Sequence, residues 1–169
     1  MLPPKYTRRI SVKDLLALGS MFESKGAKFF DQLSHSFVHD PEMKKMVLEF
    51  AEEDWMNHKV FRSLISGLKD NQVVFIDEAE YQHMRMLTPE HFFAHDWQHP
   101  DKVSPKVALQ GVLKFEKGAM AFAKNLLEVK RGYNDTLKPV PEVVEMIKTE
   151  EKHIAKVEEF IREHYSIAS

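Results

Sequence analysis

The amino-acid sequence predicts an all-α fold, a four-helix bundle in which two helical hairpins are joined by a long crossover. Three observations support this prediction. Apolar residues recur at helical spacing in four long segments, capping residues precede several of these segments, and about 35 residues separate the second from the third. Strand-like sequence is limited to the short run Val73–Ile76, which does not outweigh the helical pattern.

Capping residues place the starts of the predicted helices. The four long helices are predicted at 12–38, 41–70, 105–131 and 141–165. Ser11 followed by Asp14 is a capping-box pattern at the start of the first helix. Asp40 and Ser104 each stand directly before a proline, a combination typical of a helix N-terminus. Thr88 repeats this pattern within the crossover, where we expect short helices.

The length of 169 residues suits a single domain spanning 1–169. Within it we expect a helix pair over 12–70, a crossover over 71–104 and a helix pair over 105–165. The net charge of −2 gives no reason to expect binding to nucleic acid or to an anionic membrane. Because no run of about 18 apolar residues occurs, we predict neither a signal peptide nor a membrane span, and expect a cytoplasmic protein.

The sequence contains no cysteine, and this absence narrows the chemistry. It excludes disulfides, iron–sulfur clusters, thiolate zinc sites and a cysteine nucleophile. The remaining reactive side chains include 26 aspartates and glutamates and 9 histidines. Such residues are suited to metal ions that prefer oxygen and imidazole ligands.

Each predicted long helix carries one acidic residue within its apolar stripe, with apolar residues seven positions before and after it. These four residues are Glu23, Asp54, Glu116 and Glu150. Burying four carboxylates together is costly unless a multivalent cation neutralises them. The pattern therefore predicts a metal site. Lysine or arginine from a neighbouring helix could instead pair with Glu23 and Glu116.

The two halves of the sequence resemble each other, which indicates an internal duplication. The corresponding motifs are Phe22-Glu23 with Phe115-Glu116, and Asp54-x-x-Asn57 with Glu150-x-x-His153. Residues three apart on a helix point to one side, so Glu150 and His153 can bind the same ion. A twofold repeat of helix pairs predicts a site on the pseudo-symmetry axis between them.

In both helix pairs, but not in the crossover, the sequence resembles the rubrerythrin-type, ferritin-like di-iron carboxylate family. The segments that carry this resemblance are LLALGSMFESKGAKFFDQL, LEFAEEDWMNHKVFRSL, VALQGVLKFEKGAMAFAKNL and EMIKTEEKHIAKVEEF. The family has a glutamate in the first and third helices and Glu-x-x-His in the second and fourth. The matching residues here are Glu23, Glu116, Glu150 and His153. The resemblance implies a ferritin-like four-helix bundle.

The second helix departs from the family pattern. Asp54 stands at the glutamate position and is one methylene shorter, and Asn57 stands at the histidine position. An amide oxygen is a poor iron ligand, although hard cations accept it. By the family's geometry one half-site would contain Glu23, Asp54 and Asn57, and the other Glu116, Glu150 and His153, with Glu150 and Asp54 bridging. The first half-site could therefore be a decayed one whose polar atoms bond one another or water. Two positions that often hold tyrosine in the family are Phe30 and Ala123.

Other polar residues near these motifs are not expected to bind the metal. Glu52 and Glu53 are interpreted as part of a solvated helix face. His58 is about 100° round the helix from Asn57 and is not expected to replace it as a ligand. The crossover also contains three histidines spaced four apart, His91, His95 and His99. They could form a second metal site, belong to a lid, or lie partly exposed on a short helix.

The resemblance implies one or two iron ions, with zinc or manganese as alternatives, and peroxidase or oxidase chemistry with peroxide or oxygen. Electrons would come from an external donor, because the chain lacks the cysteines of a rubredoxin-type centre. The alternative is a bundle that has lost catalysis and keeps a structural or partner-binding role, or binds a redox-inert metal such as zinc. The sequence leaves open whether the protein is an enzyme. From the resemblance and the apolar crossover we expect a homodimer.

Overall fold

The computed structural model describes residues 7–68, 73–86, 103–131 and 141–165. Its elements are β1 (Thr7–Ser11), α1 (Val12–Ser34), a 3₁₀ turn (His35–Phe37), α2 (Pro41–Gly67), β2 (Val73–Asp77), α3 (Glu78–Met86), α4 (Pro105–Arg131) and α5 (Pro141–Tyr165). The long helices α1, α2, α4 and α5 form the predicted all-α bundle. None of the described helices is both long and apolar enough to cross a membrane.

The predicted caps explain where the helices begin. The backbone N–H of Asp14 donates to Ser11 Oγ at 3.0 Å, and the Ser11 hydroxyl donates to the Asp14 carboxylate at 2.6 Å. At the start of α2, Asp40 Oδ1 accepts from Met43 N at 3.0 Å. Ser104 Oγ accepts from Val107 N at 3.4 Å. These bonds satisfy N–H groups that the first turn of a helix leaves unpaired. The cap predicted at Thr88 lies outside the described residues.

Two helices end earlier than predicted, whereas α4 and α5 have the predicted bounds. α1 ends at Ser34, and its continuation tightens into the 3₁₀ turn. α2 ends at Gly67, and Leu68 is already extended, with its N–H bonded to Ile65 O at 3.3 Å. Glycine is the least favourable non-proline residue in a helix, which accounts for the earlier end.

A two-stranded antiparallel sheet lies beside the bundle, and the strand-like run Val73–Ile76 forms most of one of its strands. In this sheet Thr7 pairs with Asp77 and Ser11 with Val73. The buried side chains of the sheet are Ile10, Val74 and Ile76. β1 has a single aliphatic residue and pairs with a distant segment, so its own sequence carries almost no strand signal.

The predicted apolar stripes form the core of the bundle. All eight apolar stripe residues are buried: Leu16, Phe30, Val47, Phe61, Leu109, Ala123, Val143 and Val157. α1 packs most extensively on α2, and α4 on α5. Aromatic rings join the two pairs, because Phe115 of α4 stacks on Phe22 at 4.7 Å and meets Phe30 edge-on at 5.3 Å. The stripe acids are therefore held within a tightly packed apolar core.

Candidate metal centre

Four helices each supply one carboxylate to the same place in the core. α1, α2, α4 and α5 contribute Glu23, Asp54, Glu116 and Glu150, and α5 also contributes His153. All five residues are between 0% and 5% exposed. The structure thus brings together all the residues that the sequence analysis selected as ligands.

The candidate ligand atoms form two overlapping groups. One consists of Glu116, Glu150 and His153, and the other of Glu23, Asp54 and Glu150. Within each group the ligand atoms lie within 4.8 Å of one another. Because Glu150 belongs to both groups, the geometry offers two neighbouring candidate cation positions that share one carboxylate.

His153 lies between the buried carboxylates and the bundle surface. Its Nδ1 is 3.3 Å from Glu116 Oε2 and 3.7 Å from Glu150 Oε2, while its Nε2 is 2.6 Å from Glu53 Oε2. The ring stacks on Phe50 at 4.0 Å. An ionised carboxylate can only accept a hydrogen bond, so the contact with Glu53 places a proton on Nε2. In the neutral imidazole, Nδ1 then faces the carboxylates as a free ligand atom.

Glu53, which the sequence analysis placed on a solvated helix face, also contacts the site, a contact that the sequence analysis missed. Its side chain is 45% exposed, yet its carboxylate reaches the buried His153. Glu53 and Asn57 are four residues apart and therefore lie on the same side of α2. This four-residue spacing is the feature of the sequence from which a role of Glu53 at the site could have been predicted.

Asn57 takes part in the site as a hydrogen-bond donor. Its Nδ2 lies 3.3 Å from Glu23 Oε2 and 3.5 Å from Glu150 Oε1. Asn57 therefore bonds to residues of both ligand groups rather than to Asp54. Rotating the amide by 180° would turn its oxygen towards the same place, where it could bind a cation.

Close helix packing brings the short Asp54 side chain into the centre. A Cβ atom built on Gly26 of α1 would overlap both Asp54 Oδ2 and the ring of Phe115. Only glycine leaves room for both groups at this level of the bundle. The missing methylene of Asp54 is thus offset by the close approach of its carboxylate to α1.

Several carboxylate oxygens of the centre lack partners. Among the described residues no hydrogen bond reaches Asp54 Oδ1, Asp54 Oδ2, Glu116 Oε1 or Glu150 Oε2, although all four are buried. Within the same part of the chain, the ion pairs of Glu116 and Glu150 involve only His153, and no lysine or arginine neutralises the carboxylates. Burying acceptor oxygens of this kind costs free energy unless a proton or a cation binds to them. The donor set therefore fits a divalent metal ion.

The surroundings favour protonated carboxyl groups when no cation is bound. Burial is the main cause that raises the pKa of Glu23, Asp54 and Glu116 well above its usual range. Mutual repulsion adds to it, from Glu150 on Glu23 and Glu116, and from Glu23 on Asp54. A cation that binds here must therefore displace protons.

His153 is also affected by its carboxylate neighbours. Burial alone lowers its pKa, but the close contact with Glu150, its charge and the charge of Glu53 outweigh that effect. The pKa of His153 is consequently raised. The imidazole can thus hold an additional proton in the metal-free centre.

His58 does not contribute to the described centre. His58 Nδ1 lies 2.9 Å from both the hydroxyl and the backbone oxygen of Ser20, which directs it away from the carboxylates, as predicted. The crossover residues His91, His95 and His99 lie outside the described residues.

Comparison with known proteins supports the fold. No protein-family model matches the sequence, and no curated protein matches it. A crystal structure from Thermotoga maritima, provisionally described as a ferritin-like diiron-carboxylate protein, is similar at a TM-score of 0.66 and 18% identity. The similarity covers 94% of this chain and 99% of that chain. The protein therefore has the predicted ferritin-like fold, while the resemblance to rubrerythrins in particular stays a prediction.

Proposed function

We propose that the protein binds iron in the core of its helical bundle and uses it for redox chemistry with oxygen or peroxide. The observation that carries this proposal is the buried cluster of four carboxylates, one from each long helix, beside the imidazole of His153; oxygens of Asp54, Glu116 and Glu150 have no hydrogen-bond partner among the described residues. The description of the similar Thermotoga maritima protein as a diiron-carboxylate protein supports iron. A multivalent cation would neutralise these buried acids, which no described lysine or arginine does.

The two cation positions are chemically unequal. The position at Glu116, Glu150 and His153 combines carboxylates with an imidazole, which suits iron, zinc and other divalent transition metals. The position at Glu23, Asp54 and Glu150 has oxygen ligands alone and favours harder cations. We therefore propose that the imidazole position fills first.

A bound iron would supply electron transfer to oxygen or peroxide, and the chain's residues would hold and shield it. Glu150 would bind at both positions, and Glu53 would hold His153 in the tautomer that presents Nδ1. Phe30 and Phe115, both fully buried, exclude water from the adjoining core. With no cysteine in the sequence, electrons would come from an external donor.

Elemental analysis of protein purified without chelator tests the proposal. We expect bound iron, up to the two positions per chain, and an oxo-bridge absorption band after Fe(II) and air are added to metal-free protein. Glu150→Ala should remove binding at both positions, whereas Glu151→Ala, an exposed neighbour on α5, should leave it unchanged. Unmodified protein that binds no iron would contradict the proposal.

A redox-inert metal such as zinc at the imidazole position is the second candidate function. The hydrogen bonds of Asn57 to Glu23 and Glu150 favour it. Asn57 directs its amide N–H group, which cannot bind a metal ion, towards the cation position at Glu23, Asp54 and Glu150. In that case one zinc per chain would bind tightly at Glu116, Glu150 and His153. Fe(II) and air would then produce no oxo-bridge band.

A further inference from the structure

A cleft of about 460 Å³ opens between α2 and α5 on the side of the bundle where His153 lies. Asn57 and His153 form its floor, and its walls carry Glu49, Glu53, Lys152 and Lys156. α2 and α5 contact each other far less than the helices within either pair. The cleft therefore follows a loosely packed seam between the two helix pairs.

The floor of the cleft borders the candidate metal centre. Asn57 bonds to Glu23 and Glu150 on the inner side, and His153 faces Glu116 on the inner side and Glu53 on the cleft side. These two side chains therefore lie between the cleft and the carboxylates.

An ion pair crosses the mouth of the cleft. Lys156 Nζ of α5 bonds to Glu49 Oε2 of α2, and the two side chains are 50% and 39% exposed. The same two residues border a neighbouring cavity of about 280 Å³, whose lining also includes Lys45, 3.9 Å from Glu49, and the acidic residues Glu42, Glu159 and Glu163. Exposed ion pairs contribute little stability, so this one can open readily. It separates an acidic outer cavity from the inner cleft.

We propose that divalent cations enter the metal centre through this cleft, and that the Glu49–Lys156 ion pair controls the rate of entry. The inference rests on the proposed metal-binding function. The acidic outer cavity attracts cations, and Glu53 offers a carboxylate next to His153 that no described lysine neutralises. The positive charge of Lys156 opposes passage, and Glu49 reduces that barrier by pairing with it.

Stopped-flow measurement of Co(II) loading into the metal-free full-length protein at low ionic strength tests this route. Lys156→Gln should load at least about threefold faster, because a repelling charge at the mouth is lost. Glu49→Gln should load at least about threefold slower, because Lys156 is left unpaired. Final cobalt occupancy should not change in either variant, since neither residue belongs to the ligand groups.

Lys117 and Glu158 provide the matched control. They form a comparable ion pair between α4 and α5, at 3.0 Å and about half exposed, outside the cleft. Lys117→Gln and Glu158→Gln change the net charge of the protein by the same amounts as the test variants. They therefore show how much of any rate change comes from the long-range attraction between Co(II) and the whole protein. Both should load at the unmodified rate.

Three other results would count against the account in distinguishable ways. Equal loading rates in all four variants, with normal final occupancy, would overturn entry through the cleft. Faster loading in both Lys156→Gln and Glu49→Gln would indicate general opening of the bundle and would also overturn it. Failure of the unmodified protein to bind cobalt would instead contradict the proposed metal-binding function itself.

Discussion

Carboxylates contact both nitrogens of His153, and the two contacts have different consequences. Glu116 and Glu150 lie on the Nδ1 side within the core, whereas Glu53 contacts Nε2 from the cleft. Glu53 is thus a positioning residue, since it would act on the metal through the tautomer and orientation of the imidazole.

Replacing Glu53 should weaken metal binding without removing a ligand. We expect Glu53→Ala to lower metal affinity about 10- to 100-fold, the usual effect of losing a residue that orients a ligand. Glu53→Gln should restore most of the affinity, because its amide oxygen can still accept from Nε2. Competition titration with a chromophoric chelator measures both, with the exposed Glu52→Ala as control. Equal affinities for Glu53→Ala and Glu52→Ala would show that Glu53 has no positioning role.

Gly26 should be intolerant of any side chain. Gly26→Ala must displace Asp54 or Phe115, and overpacking of this kind costs about 1–3 kcal/mol of unfolding free energy. Gly67→Ala is the matched control, because nothing lies within 4 Å of a Cβ built there. Urea unfolding compares the two variants. If the Gly26→Ala variant were as stable as the Gly67→Ala variant, α1 and α2 would not be closely packed at Gly26.

At the scale of elements, α5 and α2 are related by the internal repeat but differ at the site. α5 presents Glu150 and His153, whereas α2 presents Asp54 and Asn57 at the corresponding positions. The α5 side therefore supplies the imidazole and the carboxylate shared by both cation positions.

This asymmetry predicts which variants lose metal. Glu116→Ala should lower metal occupancy more than Asn57→Ala, since Glu116 belongs to the imidazole position and Asn57 to neither ligand group. Elemental analysis after dialysis against limiting iron or zinc measures the difference. The reverse order would show that the assignment of the two half-sites is wrong.

Local patterns explain why most of the elements could be predicted. The cap at Ser11 and the seven-residue spacing around the stripe acids depend on neighbours within one helix, so the sequence alone reveals them. β1 could not be predicted, because its pairing with β2 depends on a segment remote in the sequence. The contact between Glu53 and His153 likewise joins α2 to α5 and depends on how these helices pack.

At the scale of the whole molecule, the buried centre should make the stability of the metal-free protein depend on pH. The raised pKa values of Glu23, Asp54, Glu116 and His153 mean that the folded protein binds more protons than the unfolded chain. For the carboxyl groups this holds above their unfolded pKa of about 4, and for His153 above about 6.5. The free energy of unfolding therefore falls as pH rises through this range.

In the presence of EDTA, we expect a lower urea midpoint at about pH 8 than at about pH 6. With saturating metal the dependence should weaken or reverse, because metal binds the deprotonated ligands more tightly as pH rises. A metal-free protein whose stability increases with pH would show that these carboxylates are already neutralised in another way.

Anomalous X-ray scattering from crystals grown with iron tests the central claim most directly. We predict an anomalous peak among the four long helices, within bonding distance of a Glu150 carboxylate oxygen and of His153 Nδ1. A second, weaker peak is expected beside Glu23 and Asp54. Iron bound only at the protein surface, with no peak at Glu150, would contradict the account.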